Sequence, residues 1–321
     1  MRLPNKPLFF FLAAGLCGPV LSRGQEPPVF RTNTRLVVLH TTVVDRNGKL
    51  VTDLPKSAFR VFEDGVEQQM KVFRREDIPV SMGIVIDNSG SMREKRRKVE
   101  DAAMALVKAS NPQDEVFVVN FNDEAYLDVD FTNDLKKLDE GVARIDSRGG
   151  TAMRDAIELS MEHLKAKAKK DKKAIVVVTD GNDNTSEITL ERLVQKSQQS
   201  EVLIYTIGLL NEEERREARR ARRALDALAT ATGGQAYYPK QVDDIGKFTL
   251  AVARDIRNQY TLAYSPSKPT LDGGYRQIKV TVQGPNRPSA RTRTGYYATA
   301  ELGKPADARR PLASGKVEFK R

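Results

Sequence analysis

The sequence contains one cysteine, two histidines and no tryptophan among 321 residues. Because the cysteine, Cys17, lies near the N-terminus, a chain that loses this end has no thiol for a disulfide or for nucleophilic attack. Neither His40 nor His163 belongs to a metal-binding or nucleophile motif, and we expect both to be structural. The Gly149-Gly150 turn lacks the lysine and the spacing of a P-loop. The usual thiol, histidine and P-loop active sites are therefore excluded.

The N-terminal stretch MRLPNKPLFFFLAAGLCGPVLSRGQEPP has the pattern of a secretory signal peptide. A positively charged start precedes a short apolar run, and small residues follow near Ser22 and Gly24. The apolar run is too short to cross a bilayer, and no later segment is long enough to do so. Leu16 stands before Cys17, where a lipoprotein signal carries a small residue. We therefore expect residues 1–24 to be cleaved and the chain to be exported, either to the periplasm or out of the cell.

Two separate segments, residues 28–76 and 261–300, predict β-structure. In the first, RLVVLHTTVVDRNGKLV and FRVFEDGVEQQMKVF alternate apolar and polar residues around Asn-Gly at 47–48 and Asp-Gly at 64–65, both strong hairpin signals. The second alternates in the same way through YRQIKVTVQG and ARTRTGYYA. Because isolated hairpins bury little surface, we expect the two segments to pair into one small β-sandwich sub-domain.

Between these segments, residues 79–260 predict an α/β fold. The apolar runs VSMGIVI, EVFVVNF, AIVVVT and VLIYTIGL are typical of parallel strands that helices cover on both faces. Apolar stripes predict helices over 94–109, 151–168, 190–200, 215–230 and 243–258. This pattern indicates a doubly wound, mostly parallel, Rossmann-like sheet, inserted between the two halves of the sandwich. Residues 303–321 are polar and without periodicity, and we expect a disordered tail there.

Hydroxyl and carboxylate side chains lie at three predicted strand ends or loops. Asp87 ends the first apolar run, and Ser89 and Ser91 follow it; Thr151 follows a Gly-Gly turn, and Asp180 ends another run. Since ligands bind such sheets at the carboxyl ends of the strands, we expect these side chains to converge. They offer only oxygen atoms, which suit a hard cation such as Mg²⁺. Capping of the following helix is an alternative for the first loop, but it leaves the other two loops unexplained.

These residues stand in a fixed order: Asp87-x-Ser89-x-Ser91, then Thr151 after two glycines, then Asp180 before a glycine. This order resembles the metal-ion-dependent adhesion site of von Willebrand factor A (VWFA) domains. The wider layout is similar to bacterial exported proteins described as containing a VWFA-related domain. The resemblance implies that Ser89 and Ser91 bind Mg²⁺ or Mn²⁺ directly and that Thr151 joins them in the ligand-bound state. It implies that Asp87 and Asp180 act through water or by orienting the other ligands. The final ligand would be an acidic side chain of a partner protein.

These observations predict an exported, monomeric protein-binding module of adhesion or scaffold type, and not an enzyme. The alternative function is a metal-dependent hydrolase in which the same ion activates water, which would need a positioned general base.

An alternative for the loop DGNDNTSEITLE is an EF-hand calcium loop, with oxygen ligands at positions one, three, five and twelve. That loop has Thr185 where the EF-hand needs glycine, and it follows a strand, so a polar surface loop is the simpler interpretation.

A cluster of arginines is the largest charge feature of the sequence. A solvated helix face is the simplest interpretation, and contact with an acidic protein or with phospholipid headgroups is the alternative. Nucleic acid is not an expected partner, because no aromatic residues are interleaved for base stacking. The cluster consists of Arg215, Arg216, Arg219, Arg220, Arg222 and Arg223.

Overall fold

The structure is a computed structural model that describes residues 35–143, 147–181, 183–211 and 214–299. The predicted signal peptide, residues 28–34 and the predicted C-terminal tail lie outside these ranges. The described residues from Arg35 to Thr299 belong to one compact unit. In the part of the chain that the structure describes, no helix has the length and hydropathy needed to span a membrane.

The elements follow the predicted alternation. The strands are β1 (Val37–Val44), β2 (Phe59–Glu63), β3 (Val66–Gln68), β4 (Met70–Arg74), β5 (Val80–Asp87), β6 (Glu115–Phe121), β7 (Ala125–Thr132), β8 (Lys172–Thr179), β9 (Val202–Gly208), β10 (Ala236–Tyr237), β11 (Tyr260–Tyr264), β12 (Tyr275–Val282), β13 (Ser289–Arg291) and β14 (Gly295–Tyr297). The helices are α1 (Arg96–Ala109), α2 (Leu135–Ala143), α3 (Met153–Lys167), α4 (Leu190–Gln199), α5 (Arg215–Thr232) and α6 (Ile245–Arg257).

A six-stranded sheet of order β10-β9-β8-β5-β6-β7 forms the centre of the molecule. All its pairings are parallel except that of β7 with β6. Every residue of β5 and of β8 is buried, which explains their continuous apolar runs. Helices α1, α2 and α6 cover one face, and α3, α4 and α5 cover the other. The predicted doubly wound, mostly parallel α/β fold is confirmed.

Two four-stranded antiparallel sheets, β13-β1-β11-β4 and β14-β12-β2-β3, form the sandwich. Each sheet combines strands from both ends of the chain: Val37 of β1 pairs with Tyr264 of β11, and Val61 of β2 pairs with Val280 of β12. Buried side chains of both sheets, including Leu39 of β1, share one apolar core. The predicted sandwich of N-terminal and C-terminal segments is therefore confirmed. The exact domain limits at 76, 79 and 260 stay predictions.

Of the two predicted hairpin turns, the one at residues 64–65 joins a pair of strands, and the one at residues 47–48 does not. Asp64 and Gly65 have φ values of 48° and 83°, both in the left-handed region, and they join β2 to β3 in an antiparallel pair. Gly48 also has a left-handed φ of 77°, but the returning chain makes only an isolated bridge between Val44 and Leu50. Since β11 already pairs with the first part of β1, little of that strand is left for a returning partner.

Candidate metal site at the edge of the central sheet

Asp87 is the last residue of β5 and is fully buried. One carboxylate oxygen accepts a hydrogen bond from the Ser89 backbone N–H at 2.8 Å, and the other accepts one from the Thr179 hydroxyl at 2.6 Å. Burial raises the pKa of Asp87 to about 6, while these hydrogen bonds act in the opposite direction. A nearby cation would favour the charged form. Two adjacent strands thus fix the carboxylate at the carboxyl edge of the sheet.

The loop after Asp87 links it to the end of β8 through a chain of oxygen atoms. The hydroxyl oxygens of Ser89 and Ser91 are 3.1 Å apart, and the Ser91 hydroxyl donates to Asp180 Oδ1 at 2.8 Å. The Asp180 side chain is only 1% exposed, and its other carboxylate oxygen accepts a hydrogen bond from the Lys95 ammonium. Four of the predicted site residues are therefore gathered at one point.

Thr151 lies on a third loop that is fastened to the other two. Its backbone N–H donates to Asn184 Oδ1 at 2.9 Å, and the Asn184 N–H donates back to the Thr151 carbonyl at 3.1 Å. A β-carbon built on Gly181 would lie 3.8 Å from the Thr151 hydroxyl oxygen, so this hydroxyl adjoins the residue after Asp180. Gly90 donates its N–H to the Gly149 carbonyl at 3.3 Å, which joins this loop to the serine loop.

The Gly-Gly turn before Thr151 depends on the absence of side chains. Gly149 has a left-handed φ of 75°, and a β-carbon there would approach Asp123 Oδ2 to 2.0 Å. Asp123 in turn accepts the Gly150 N–H at 2.7 Å and holds the turn in place. Four supporting residues were not predicted from the sequence: Asp123, Thr179, Asn184 and Lys95. Only Thr179 has a sequence signal, since it directly precedes Asp180 at the end of an apolar run.

The alternative in which Asp87 and Ser91 cap the following helix is not supported by the described contacts, because the Ser91 hydroxyl contacts Ser89 and Asp180. The 3₁₀ turn Gly90–Met92 donates no backbone N–H to the side chain of its N-cap residue Ser89, and α1 donates none to the side chain of its N-cap residue Lys95. The calcium-loop alternative is also not supported by the described residues, because Asn184 Oδ1 is occupied by the Thr151 N–H and the loop follows strand β8. Asn182, one of its proposed ligands, lies outside the described residues.

The donor atoms fit a hard divalent cation. They are two carboxylates and three hydroxyls, and no softer nitrogen or sulfur ligand is involved. Within the described ranges, no group of three or more His, Cys, Asp or Glu side chains could hold a metal, so an ion at this edge would depend on hydroxyl ligands. The ammonium of Lys95 on the buried Asp180 carboxylate indicates that this position accepts positive charge.

Comparison with known proteins gives one family match. Residues 82–182, which include all five predicted site residues, match the family model described as von Willebrand factor type A domain. An uncharacterized protein of Borreliella burgdorferi is 31% identical over 142 residues, which are 43% of this chain and 40% of that protein. The chain spans less than half the length of the curated relatives it matches.

Solved structures with a similar fold include two proteins of low sequence identity to this chain. A von Willebrand factor type A protein from Catenulispora acidiphila is 13% identical, with a TM-score of 0.48 over 85% of this chain and 78% of that one. Proximal thread matrix protein 1 from the mussel byssus, solved with a zinc-occupied MIDAS motif, is 16% identical, with a TM-score of 0.48 over 61% of this chain and 50% of that one. Residues 82–182 therefore match the von Willebrand factor type A domain family, and they contain all or most of four strands of the doubly wound sheet.

Proposed function

We propose that the chain is an exported protein-binding module of adhesion or scaffold type. A divalent cation, Mg²⁺ or Mn²⁺, would be held by Asp87, Ser89, Ser91, Thr151 and Asp180. When bound, the ion offers an open position to a carboxylate oxygen of an acidic residue on a partner. The module would act as a monomer in the periplasm or outside the cell, after removal of residues 1–24.

The main support for the proposal is the continuous contact from Ser89 through Ser91 to Asp180, next to the fixed carboxylate of Asp87. In this proposal the hydroxyls are the direct ligands and the two carboxylates act through water, so the first coordination shell leaves the charge of the divalent ion uncompensated. An acidic side chain from another protein is a suitable additional ligand for such an ion. The same contacts speak against the hydrolase alternative, because both carboxylates already accept hydrogen bonds from neighbouring groups and are poorly placed to act as a general base.

Calorimetric titration of the full chain with MgCl₂ and MnCl₂ tests the metal site. The double variant Ser89→Ala, Ser91→Ala should lose at least about tenfold in affinity, since the ion then has too few fixed oxygens to compete with water. Ser81→Ala is the matched control, because Ser81 is buried at the opposite end of the same strand and donates to Glu115. Equal metal binding by the double variant and the wild type would contradict the proposed ligands.

We also propose that the arginine face, defined by Arg215, Arg216, Arg219, Arg220, Arg222 and Arg223, contacts the same acidic partner. All six side chains are exposed, and no described carboxylate forms an ion pair with any of them. Arg222 stacks on the Tyr238 ring, 3.8 Å from its centroid. Helix α5 starts at the same sheet edge as the site, where Leu209 donates its N–H to the Thr179 carbonyl. The described part of α5 exposes no large apolar side chain for insertion into a membrane, which favours a protein partner.

A pull-down from bacterial envelope extract separates binding through the metal site from binding through the arginine face. Capture through the metal should disappear in EDTA at any salt concentration and should weaken only moderately in salt. Attraction by the arginine face alone should disappear at about 0.5 M salt, where the screening length falls to a few ångströms. Binding that survives EDTA but not salt would move the function from the sheet edge to the arginine face.

A further inference from the structure

Lys95 places a positive charge inside the proposed metal site. Its ammonium donates to Asp180, whose side chain is 1% exposed, while the Lys95 side chain itself is 26% exposed. The second Asp180 oxygen is held by the Ser91 hydroxyl. A buried carboxylate is stable only when a positive charge or hydrogen bonds compensate its negative charge, and here the Lys95 ammonium provides the positive charge. The lysine can reach solvent, so it can leave Asp180 at lower cost than a buried partner could.

The position of Lys95 is unfavourable for the helix that it precedes. It occupies the N-cap of α1, where short side chains such as Ser, Thr, Asp and Asn are preferred because they accept hydrogen bonds from the first turn. The Lys95 side chain makes no such bond, and a positive charge at this end is opposed by the helix dipole. The requirements of α1 therefore do not explain a lysine here, whereas the contact with Asp180 does.

We propose that Lys95 is a resident competitor for the metal: it holds Asp180 while no divalent ion is bound and has to release it when one binds. This inference rests on the metal site proposed above and adds its regulation. An ammonium group and a divalent ion repel each other at such short range, so they would not share the carboxylate. Lys95 would thus keep the metal-free loop ordered, and it would raise the cation concentration at which the site becomes occupied.

The direct test is calorimetric titration of the full chain with MgCl₂. Lys95→Met should bind Mg²⁺ about tenfold more tightly than the wild type, because one like charge has been removed. Lys95→Arg keeps the charge and should not bind Mg²⁺ more tightly than the wild type, because a guanidinium pairs with a carboxylate at least as well as an ammonium does. Lys98→Met is the matched control: Lys98 lies in the first turn of α1, the helix that Lys95 precedes, and forms an ion pair with Asp243 at 2.8 Å, away from Asp180. It should bind Mg²⁺ as the wild type does.

Thermal unfolding gives a second readout that a purely structural lysine would not produce. In EDTA, Lys95→Met should melt at a lower temperature than the wild type, because the buried Asp180 charge is left unpaired. Added Mg²⁺ should raise its Tm by more than it raises that of the wild type. If Lys95→Met does not fold, Lys95→Gln provides the same comparison.

The outcomes separate this inference from the proposed function. If the wild type and all variants fail to bind Mg²⁺ and Mn²⁺, the metal site itself is wrong, and the role of Lys95 fails with it. If the wild type binds Mg²⁺ but the Lys95→Met affinity is equal or weaker, only the competitor role is overturned. Tighter binding by Lys95→Met, together with unchanged binding by Lys98→Met, supports it.

Discussion

The buried carboxylates of the sandwich and those of the sheet edge differ in the groups that satisfy them. In the sandwich, Glu63 accepts hydrogen bonds from the hydroxyls of Tyr264 and Tyr296 at 2.6 and 2.9 Å, and all three residues are buried. Burial and the neighbouring Glu63 raise the pKa of both tyrosines. At the sheet edge, Asp180 is satisfied by a serine hydroxyl, which can rotate, and by a partly exposed lysine.

The hydrogen-bond partners of Glu63 and those of Asp180 differ in how easily an incoming ligand can replace them. The tyrosines are fixed by packing in the sandwich core, so no incoming ligand can replace them without disrupting that core. Ser91 lies in the 3₁₀ turn Gly90–Met92 and Lys95 directly precedes α1, and both side chains reach the surface and can turn toward or away from the carboxylate. In this molecule, the exchangeable partners of Asp180 distinguish the sheet edge from the sandwich core. The following experiments test that distinction, from the largest expected effect to the smallest.

Truncation before Tyr260 should abolish the sandwich. β1 would lose its partners β11 and β13, and β2 would lose β12, so the remaining strands would bury too little surface to stay folded. Limited proteolysis with mass spectrometry should then show rapid cleavage within residues 35–76. Persistent protease resistance of that segment would show that it folds without the C-terminal strands.

Glu63→Ala should lower the free energy of unfolding by about 3 kcal/mol, because two buried tyrosine hydroxyls lose their acceptor. Urea denaturation measures this loss. Glu63→Gln is the control, since it keeps an acceptor oxygen and should lose less. Both variants should bind Mg²⁺ like the wild type, and a change in metal affinity would mean that the two regions are not independent.

Acid should weaken the sandwich through His40 in β1. Burial, aided by the positive charges of Lys172 and Arg293, lowers the pKa of His40 to about 3. Between pH 6.5 and 3 the unfolded chain binds a proton that the folded chain does not, so stability falls as the pH falls through this window. The loss should be about 1 kcal/mol at pH 5.5. Urea denaturation at several pH values should show a shallower pH dependence for His40→Gln; an identical slope would contradict the assignment.

Asp87→Asn should have the smallest effect on stability and a large one on metal binding. The amide oxygen can still accept one of the two hydrogen bonds, and the charge that burial disfavours is removed. We expect the free energy of unfolding to change by less than about 1 kcal/mol. Calorimetry should show no saturable Mg²⁺ binding. A loss of stability as large as that of Glu63→Ala would remove the distinction between the two regions.

Much of the fold could be predicted because its patterns are local. The runs that became β5, β6, β8 and β9 are continuous and apolar because helices cover both faces of those strands. Strand β7 was missed, since it pairs at the sheet edge, has only partly buried or exposed residues and lacks such a run. Helix α2 was also missed, because nine residues with an internal glycine give a weak periodic signal.

The candidate site was predictable only in part, for a different physical reason. The spacing of Asp87, Ser89 and Ser91 is visible in the sequence because one loop carries all three. The contact between Lys95 and Asp180 joins positions 85 residues apart. Lys95 lies in the run REKRRK, and nothing in such a run indicates which basic side chain turns inward. The asparagine that fastens the Thr151 loop was missed for the same reason, since its partner is distant in sequence.

Strands β4 and β11 are neighbours in one sheet, although the whole α/β region lies between them in sequence. Synthesis therefore delivers β1 to β4 well before the strands that complete them. Until then, these early strands have unpaired edges that can associate with other chains. The inserted region can fold in the meantime and bring the two ends of the chain together, which reduces the entropy cost of closing so long a loop. Protection from aggregation thus depends on how quickly the inserted domain folds.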